Sequence, residues 1–228
     1  MELDLAINRR GSIRAFLDKP VDRTVIEEIL ALAVRSPSWG NTQPWEIVVA
    51  GGEKTIALTD EFTRLLKSGV PSNPDFAMPD KFEGDYNDRY KSLGREVFRL
   101  KGIGREDQEA RFNHYLRNFK AFGASNLVYI LIDQSLKTVY HVFDAGLLAA
   151  HICLLATSRG LGTCLLAALA WYPDAIRKHL EIGPEKKVVI GLALGHPDPD
   201  APVNQLRSQR EPIEKTVRWV GLDRKPGS

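Results

Sequence analysis

From Asp22 to Arg35 the chain reads DRTVIEEILALAVR, and its apolar residues Ile26, Ile29, Leu30, Ala33 and Val34 return every three or four positions among charges. That period predicts an amphipathic helix, and Thr24 and Glu27 stand at the spacing of a capping box at its start. The next run, SPSWGNTQPW (36–45), has no period at all, after which Glu46 to Ala50 predict a short buried strand closed by Gly51 and Gly52. Helical spacing resumes over 53–69 and stops at the Pro-rich VPSNPDFAMPDKF (70–82). It returns with Tyr86, Tyr90, Leu93, Val97 and Leu100 on one face of an amphipathic helix, and a second helix is predicted from Arg105 to Phe119. NLVYILID (126–133) predicts a strand that Asp133 ends. From Thr138 to Arg159 the pattern predicts a long helix rich in small residues (Ala145, Gly146, Ala149, Ala150, Cys153, Ala156), with Gly160 as its C-cap. GTCLLAAL (162–169) reads as a strand or strand-like segment, YPDAIRKHL as a short helix, KKVVIGLALG as a strong strand, and 201–220 as a polar, Arg-rich tail. Strands alternate with helices and no repeat or linker intervenes. The pattern therefore predicts one unit over 1–228, a sheet packed by helices of the α+β or α/β class, with a helical excursion at about 70–117.

Composition narrows the function. The 228 residues can bury a core without metals or disulfides. Lys and Arg number 31 against 29 Asp and Glu, a net charge of +2 without clustering, so the chain offers no basic field for nucleic acid. Cys153 and Cys164 sit among apolar neighbours and read as buried, reduced thiols. The N-terminus has no secretory pattern, and Asp144, His151 and Arg159 interrupt the longest apolar stretch, so no membrane span and a cytoplasmic location are expected.

Four stretches carry candidate chemistry. NRRGSIRAF (8–16) places Arg9, Arg10, Ser12 and Arg14 within six positions. Arg pairs bidentately with phosphate, although such a cluster read alone is as readily a solvated turn. The loop SPSWGNTQPW offers amides that suit an amide-and-imide ring edge, or else simply ends a helix. In RNFKAFGAS, Asn118 and Lys120 precede a strand; Lys120 could stabilise negative charge on a ring or complement a helix dipole. In SRGLGTCLLAAL, Gly160 and Gly162 permit close backbone approach. No GxGxxG, P-loop, CxxC, HExxH or GxSxG motif occurs, and His114, His141, His151, His179 and His196 lack metal-ligand spacing.

Taken in order, these stretches resemble the FMN-dependent nitroreductase family, the oxygen-insensitive type acting on nitroaromatics. The residues that carry the resemblance are RRGSIRAF, PSWGNTQPW, NFKAFGAS, GLGT, ALGHP (193–197) and RSQREP (207–212), spread over essentially the whole chain. A subgroup that reduces nitroaromatics such as nitrobenzoates shows a similar Tyr/Arg helix and a segment like NFKAFGAS.

The resemblance implies a nitroreductase-like α+β fold, a mostly antiparallel central sheet flanked by helices, in an intertwined homodimer with FMN where the protomers meet. It implies FMN contacts from Arg10, Gly11, Ser12 and Arg14, and from Arg210 with Arg207 as helper. Pro37, Ser38, Trp39 and Asn41 would come from the partner subunit, Asn118 would bond the pyrimidine edge, and Leu165, Leu166, Ala167 and Ala168 would line the ring face. Gly11 stands where the family usually has a second Arg or His, and Ala167 where some relatives have Glu. No catalytic acid or base is implied. NADPH or NADH would donate hydride to the flavin N5 and a nitroaromatic or quinone acceptor would take it in a ping-pong sequence, with Arg14 and Lys120 supplying positive charge near the ring. Trp39, with Phe82, Tyr86, Tyr90 and Phe112 of the excursion, is expected to bind the acceptor; Trp39 could equally be a buried anchor for its loop. Quinone, enone or flavin reduction on the same scaffold, and flavin binding without catalysis, remain the rival expectations.

Overall fold

The computed structural model describes residues 1–79 and 81–222; the end of the unit expected to reach 228 lies outside them. Four strands, β1 (Trp45–Gly51), β2 (Asn126–Asp133), β3 (Gly162–Leu166) and β4 (Lys186–Gly195), form one antiparallel sheet in the order β1-β2-β4-β3. β2 is buried on both faces, which is why its sequence is apolar without alternation. Its Leu127, Tyr129 and Leu131 join one core with Leu58 and Phe62 of α3 (Glu53–Lys67), Phe119 of α5 (Gln108–Phe119) and Ile176 of α7 (Pro173–Leu180). Val128 and Ile130 point the other way, into a second core with Ile26 and Ile29 of α2 (Arg23–Ala33) and Leu148 and Ile152 of α6 (Val139–Ser158). The sheet thus sits between two helical layers, an α+β architecture.

Local chemistry explains the boundaries. α2 starts two residues earlier than the capping-box spacing implies: Asp22 is the N-cap and its Oδ1 accepts from Thr24 N at 2.9 Å, while Glu27 pairs with Arg23 instead. The helix expected from Arg105 begins at Gln108, because Asp107 caps Ala110 N at 2.8 Å. GTCLLAAL is a strand only to Leu166; Ala167–Ala170 turn into a 3-10 helix. α6 ends as predicted at Gly160 (φ 73°), where Leu161 N donates back to Ala156 O. By length and composition α6 could cross a membrane, but it packs on α2, on the sheet and on α1 (Leu3–Arg9). Within the excursion, α4 (Gly84–Leu100) buries Val97, and α5 joins the core through Leu116 and Phe119.

Two glycines set the geometry that matters for function. A Cβ on Gly162 would lie 2.6 Å from Ile13 Cγ1, so the absence of a side chain lets the 12–14 segment lie directly on β3. At the sheet centre, a Cβ on Gly191 would lie 2.6 Å from Leu169 Cβ, so the turn after β3 packs flat on β4.

Candidate functional site

The segment after α1 is laid beside the start of β3. Ser12 bridges Thr163 in parallel and Ile13 N donates to Thr163 O at 2.9 Å. Buried Asn204 fixes it from behind: its Oδ1 accepts from Arg14 N at 2.8 Å and its Nδ2 donates to Ala15 O at 2.8 Å. Asn204 was not singled out from the sequence, and only its burial marks it. In front of this segment lies a cleft of about 530 Å³ lined by Arg10, Gly11, Ser12, Arg14, Leu93, Leu206, Arg207, Ser208 and Arg210. The tail therefore returns, from nearly two hundred positions away, to the N-terminal arginines. Arg207 Nη1 donates to Asn204 O at 3.1 Å and Arg210 Nη1 to Ser208 Oγ at 2.7 Å. No acidic side chain among the described residues pairs with Arg10, Arg14 or Arg207. A cationic cleft without its own carboxylates suits a dianionic phosphate.

The parallel bridge gives the cleft a direction. Going from Ser12 to Arg14 follows β3 from Thr163 toward Leu165, and Arg14 is close enough to oppose the effect of burial on the Cys164 thiol, whose pKa rises to about 11. Beyond it, Leu165 and Ala167 are exposed while Leu166 is buried, so the strand end presents an uncovered face. Arg10 and Arg14 are four extended residues apart, roughly 13 Å. The cleft runs from Arg10, Arg207 and Arg210 to Arg14, which follows β3 toward its exposed end.

The helices of the excursion close in on the Arg14 end. Leu93 lines the cleft, and Val97 and Lys101 follow it at four-residue steps on the same face of α4. α5 packs against this end: the His114 ring meets Phe98 at 5.3 Å and Phe122 at 6.2 Å, and Arg117 Nη2 donates to Phe122 O at 3.5 Å. Burial, then the charges of Lys101, Arg14 and Arg117, drive the His114 pKa down to about 4, and its Nδ1 has no hydrogen-bond partner among the described residues. Burial, then Arg117 and Arg14, also lower the Lys101 pKa. Three cations thus converge around one neutral imidazole, and the sequence reading had picked out only Arg14 among them.

Asn118 lies one turn beyond His114 on the same α5 face, its Nδ2 held by Tyr115 O at 3.0 Å, on the Arg14 side. Lys120, the C-cap of α5 and a candidate for positive charge near the ring, has its Nζ 3.9 Å from Asp60 Oδ1 of α3. Phe82, Tyr86, Tyr90 and Phe112 are all exposed; Phe82 and Tyr90 touch at 5.4 Å, and Arg89, anchored on Glu211 at 3.1 Å, lies 4.9 Å over Tyr86.

The loop 36–43 is absent from the cleft. Ser36 Oγ bonds the His151 ring, both carboxylate oxygens of buried Asp144 accept from Trp39 N (3.2 and 3.1 Å), and the Trp39 ring meets Tyr140 at 4.7 Å. Gly40, Asn41 and Gln43 hold positive φ, and Gln43 N donates to Ser38 Oγ at 3.0 Å. Trp39 stays 60% exposed, so it is no buried anchor. Pro37 and Asn41 are exposed beside it and Ser38 is half-buried. The loop docks along α6 from Tyr140 to His151, and none of its residues lines the cleft.

Fold and cleft together define an α+β protein with an arginine-lined cleft beside the segment that follows an exposed strand end. The Nitroreductase family model matches residues 7–196, and the chain belongs to that family. Among curated relatives, the 4-nitrobenzoate reductase of Pseudomonas putida is 33% identical over 98% of this chain and 97% of its own. The nitrobenzene nitroreductase of Ectopseudomonas oleovorans is 29% identical over 96% of each chain. The solved FMN- and NADPH-dependent nitroreductase of sphigopyxis sp. strain HMH superposes with a TM-score of 0.93 at 29% identity, over 97% of this chain and all of the other.

Proposed function

We propose that this chain is a homodimeric FMN enzyme that takes hydride from NADPH or NADH and reduces nitroaromatic acceptors, nitrobenzoates among them. The direction of the cleft carries the reading. Arginines without acidic partners among the described residues line the cleft from Arg10 to Arg14, and the exposed end of β3 lies beyond Arg14. Arg10, Arg207 and Arg210 would hold the phosphate, and the Ser12 hydroxyl and Gly11 backbone would flank it. Arg14 would reach the pyrimidine side and Asn118 would offer a donor and an acceptor to its imide edge. Leu165 to Ala168 would back the ring. FMN held there would supply two-electron hydride chemistry between a reduced nicotinamide and the acceptor. The protein's own part is to orient both reactants, exclude water and keep Arg14 where negative charge develops; such preorganised charges are worth on the order of a few kcal/mol.

The dimer follows from the stranded loop. Its Trp39, Pro37 and Asn41 face away from their own cleft, and the outer face of α6 exposes Phe143 with the small residues Gly146 and Ala150 one and two turns on. A second copy packed on that face would bring its loop to this cleft, with Trp39 as an acceptor wall. Use of reduced nicotinamide accords with the cytoplasm. The test is purification with stoichiometric flavin, a dimeric mass in solution, and NADPH oxidation that rises when 4-nitrobenzoate is added. A monomer that loses all flavin on desalting, or one whose NADPH oxidation ignores every nitroaromatic, is incompatible with the proposal.

A further inference from the structure

The arginine cleft continues into a larger groove of about 1370 Å³ between α4 and the tail, and the two share Leu93, Leu206, Arg207, Ser208 and Arg210. α4 lines this groove from Arg89 to Leu100, a run of about 16 Å, longer than a single phosphate needs. Five arginines (Arg89, Arg95, Arg99, Arg207 and Arg210) line it against two glutamates. Both acids are already paired, Glu96 with Arg99 at 2.6 Å and Glu211 with Arg89 at 3.1 Å. The second of these pairs also ties α4 to the tail, so the two walls are held to each other. Arg95, Arg207 and Arg210 have no acidic partner among the described residues. A flavin phosphate in the cleft would draw on Arg10, Arg207 and Arg210, but Arg95 lines the groove and not the cleft. Tyr90 is placed in the same way, and its ring is 65% exposed. A groove with surplus arginine, neutralised carboxylates and an open aromatic face suits a nucleotide that carries several phosphates.

We propose that this groove is a second nucleotide subsite, which takes the adenosine phosphates of the hydride donor and recognises a 2′-phosphate through Arg95, so that NADPH is preferred to NADH. The proposal rests on the flavin reading of the neighbouring cleft, but its phosphate selectivity is measurable without turnover. Continuity of the two spaces matters, because one dinucleotide must reach from the groove to the flavin ring. NADPH carries a phosphomonoester that NADH lacks, and the guanidinium fork of Arg95 can take two of its oxygens at once. Tyr90 would offer its ring to the adenine.

The experiment titrates the FMN-loaded protein with adenosine 2′,5′-bisphosphate and with adenosine 5′-monophosphate, following the heat of binding and the flavin absorbance. Neither probe can donate hydride. The bisphosphate should bind about tenfold more tightly, the value of one charge-assisted contact in a solvated groove, with the flavin still bound. Arg95→Gln should remove most of that preference, and Arg95→Lys, which keeps the charge but not the fork, should hold about threefold of it. Lys91→Gln removes a cation of α4 that lies outside the groove and should leave the preference unchanged, which separates a local contact from net charge. In steady state, Arg95→Gln should raise KM for NADPH about tenfold and leave KM for NADH within about twofold. Equal binding of the two probes by the wild type overturns the proposal, as does a preference that survives Arg95→Gln. Release of flavin by the bisphosphate also overturns it, because the probe then occupies the cleft instead of the groove. Selective binding of the bisphosphate by a protein that oxidises neither nicotinamide would instead sink the proposed reaction and leave the nucleotide subsite standing.

Discussion

Replacing Asp144 by Ala tests whether a loop on one protomer completes the flavin site of the other. The carboxylate is 3% exposed and has one described partner, the Trp39 amide, which it accepts with both oxygens at 3.2 and 3.1 Å. A hydrogen bond to a charged acceptor contributes about 1.5 to 3 kcal/mol. Trp39 lies at the surface, so water can reach the released amide and the lower figure applies, about 1.5 kcal/mol, or roughly a tenfold loss in the equilibrium constant for docking the loop. If docking is needed for the loop to contact FMN on the second protomer, the FMN dissociation constant should rise by up to about tenfold. Asp144→Asn keeps an acceptor but not the charge and should cost about threefold. Global stability should change less than FMN affinity, because removing a buried carboxylate with no cationic partner also removes its desolvation penalty.

The assay is a titration of FMN into apo-dimer by quenching of flavin fluorescence, with urea unfolding in parallel. An Asp144→Ala dimer whose FMN affinity stays within twofold of wild type would refute the reasoning, and the loop would then have no share in the flavin site.

Arg207→Ala should weaken FMN binding by about tenfold or more and flatten its dependence on salt, since a phosphate contact is lost; a salt titration of the dissociation constant checks this. Gly191→Ala places a Cβ 2.6 Å from Leu169 Cβ and 3.0 Å from Tyr129 Cε1 in the middle of the sheet, and should lower stability by about 1 to 3 kcal/mol in urea unfolding. His114 is held at a pKa of about 4 in the fold against 6.5 in the unfolded chain, so the unfolded state binds more protons between those values. Stability is therefore fully present above pH 6.5 and falls as pH drops toward 4, by on the order of 2 kcal/mol once solvent screening is allowed for; His114→Gln should lose that slope in urea midpoints measured from pH 7 to pH 4.

What the sequence made legible, and what it hid, follows from where each contact is decided. β2, α6 and the Gly160 cap could be read because the side-chain pattern and the cap are local, and the Arg10 to Arg14 segment could be read because its charges are adjacent in the chain. Lys120 caps α5 and lies 3.9 Å from Asp60 of α3, a contact that no spacing in the sequence encodes. The positive φ angles of Ala121 (48°) and Phe122 (56°) then turn the chain into β2. Lys101 and Arg117 were invisible because their meeting depends on how α4 folds against α5, which no spacing in the sequence encodes. The loop 36–43 shows a different limit. The fold fixes its residues on α6, Ser36 on His151 and Trp39 on Asp144, and none of them lines the arginine cleft. A loop so tethered cannot move onto its own cleft without giving up those bonds. Whatever it recognises must be delivered to it, and the exposed Phe143, Gly146 and Ala150 beside it are the surface on which a second copy would arrive.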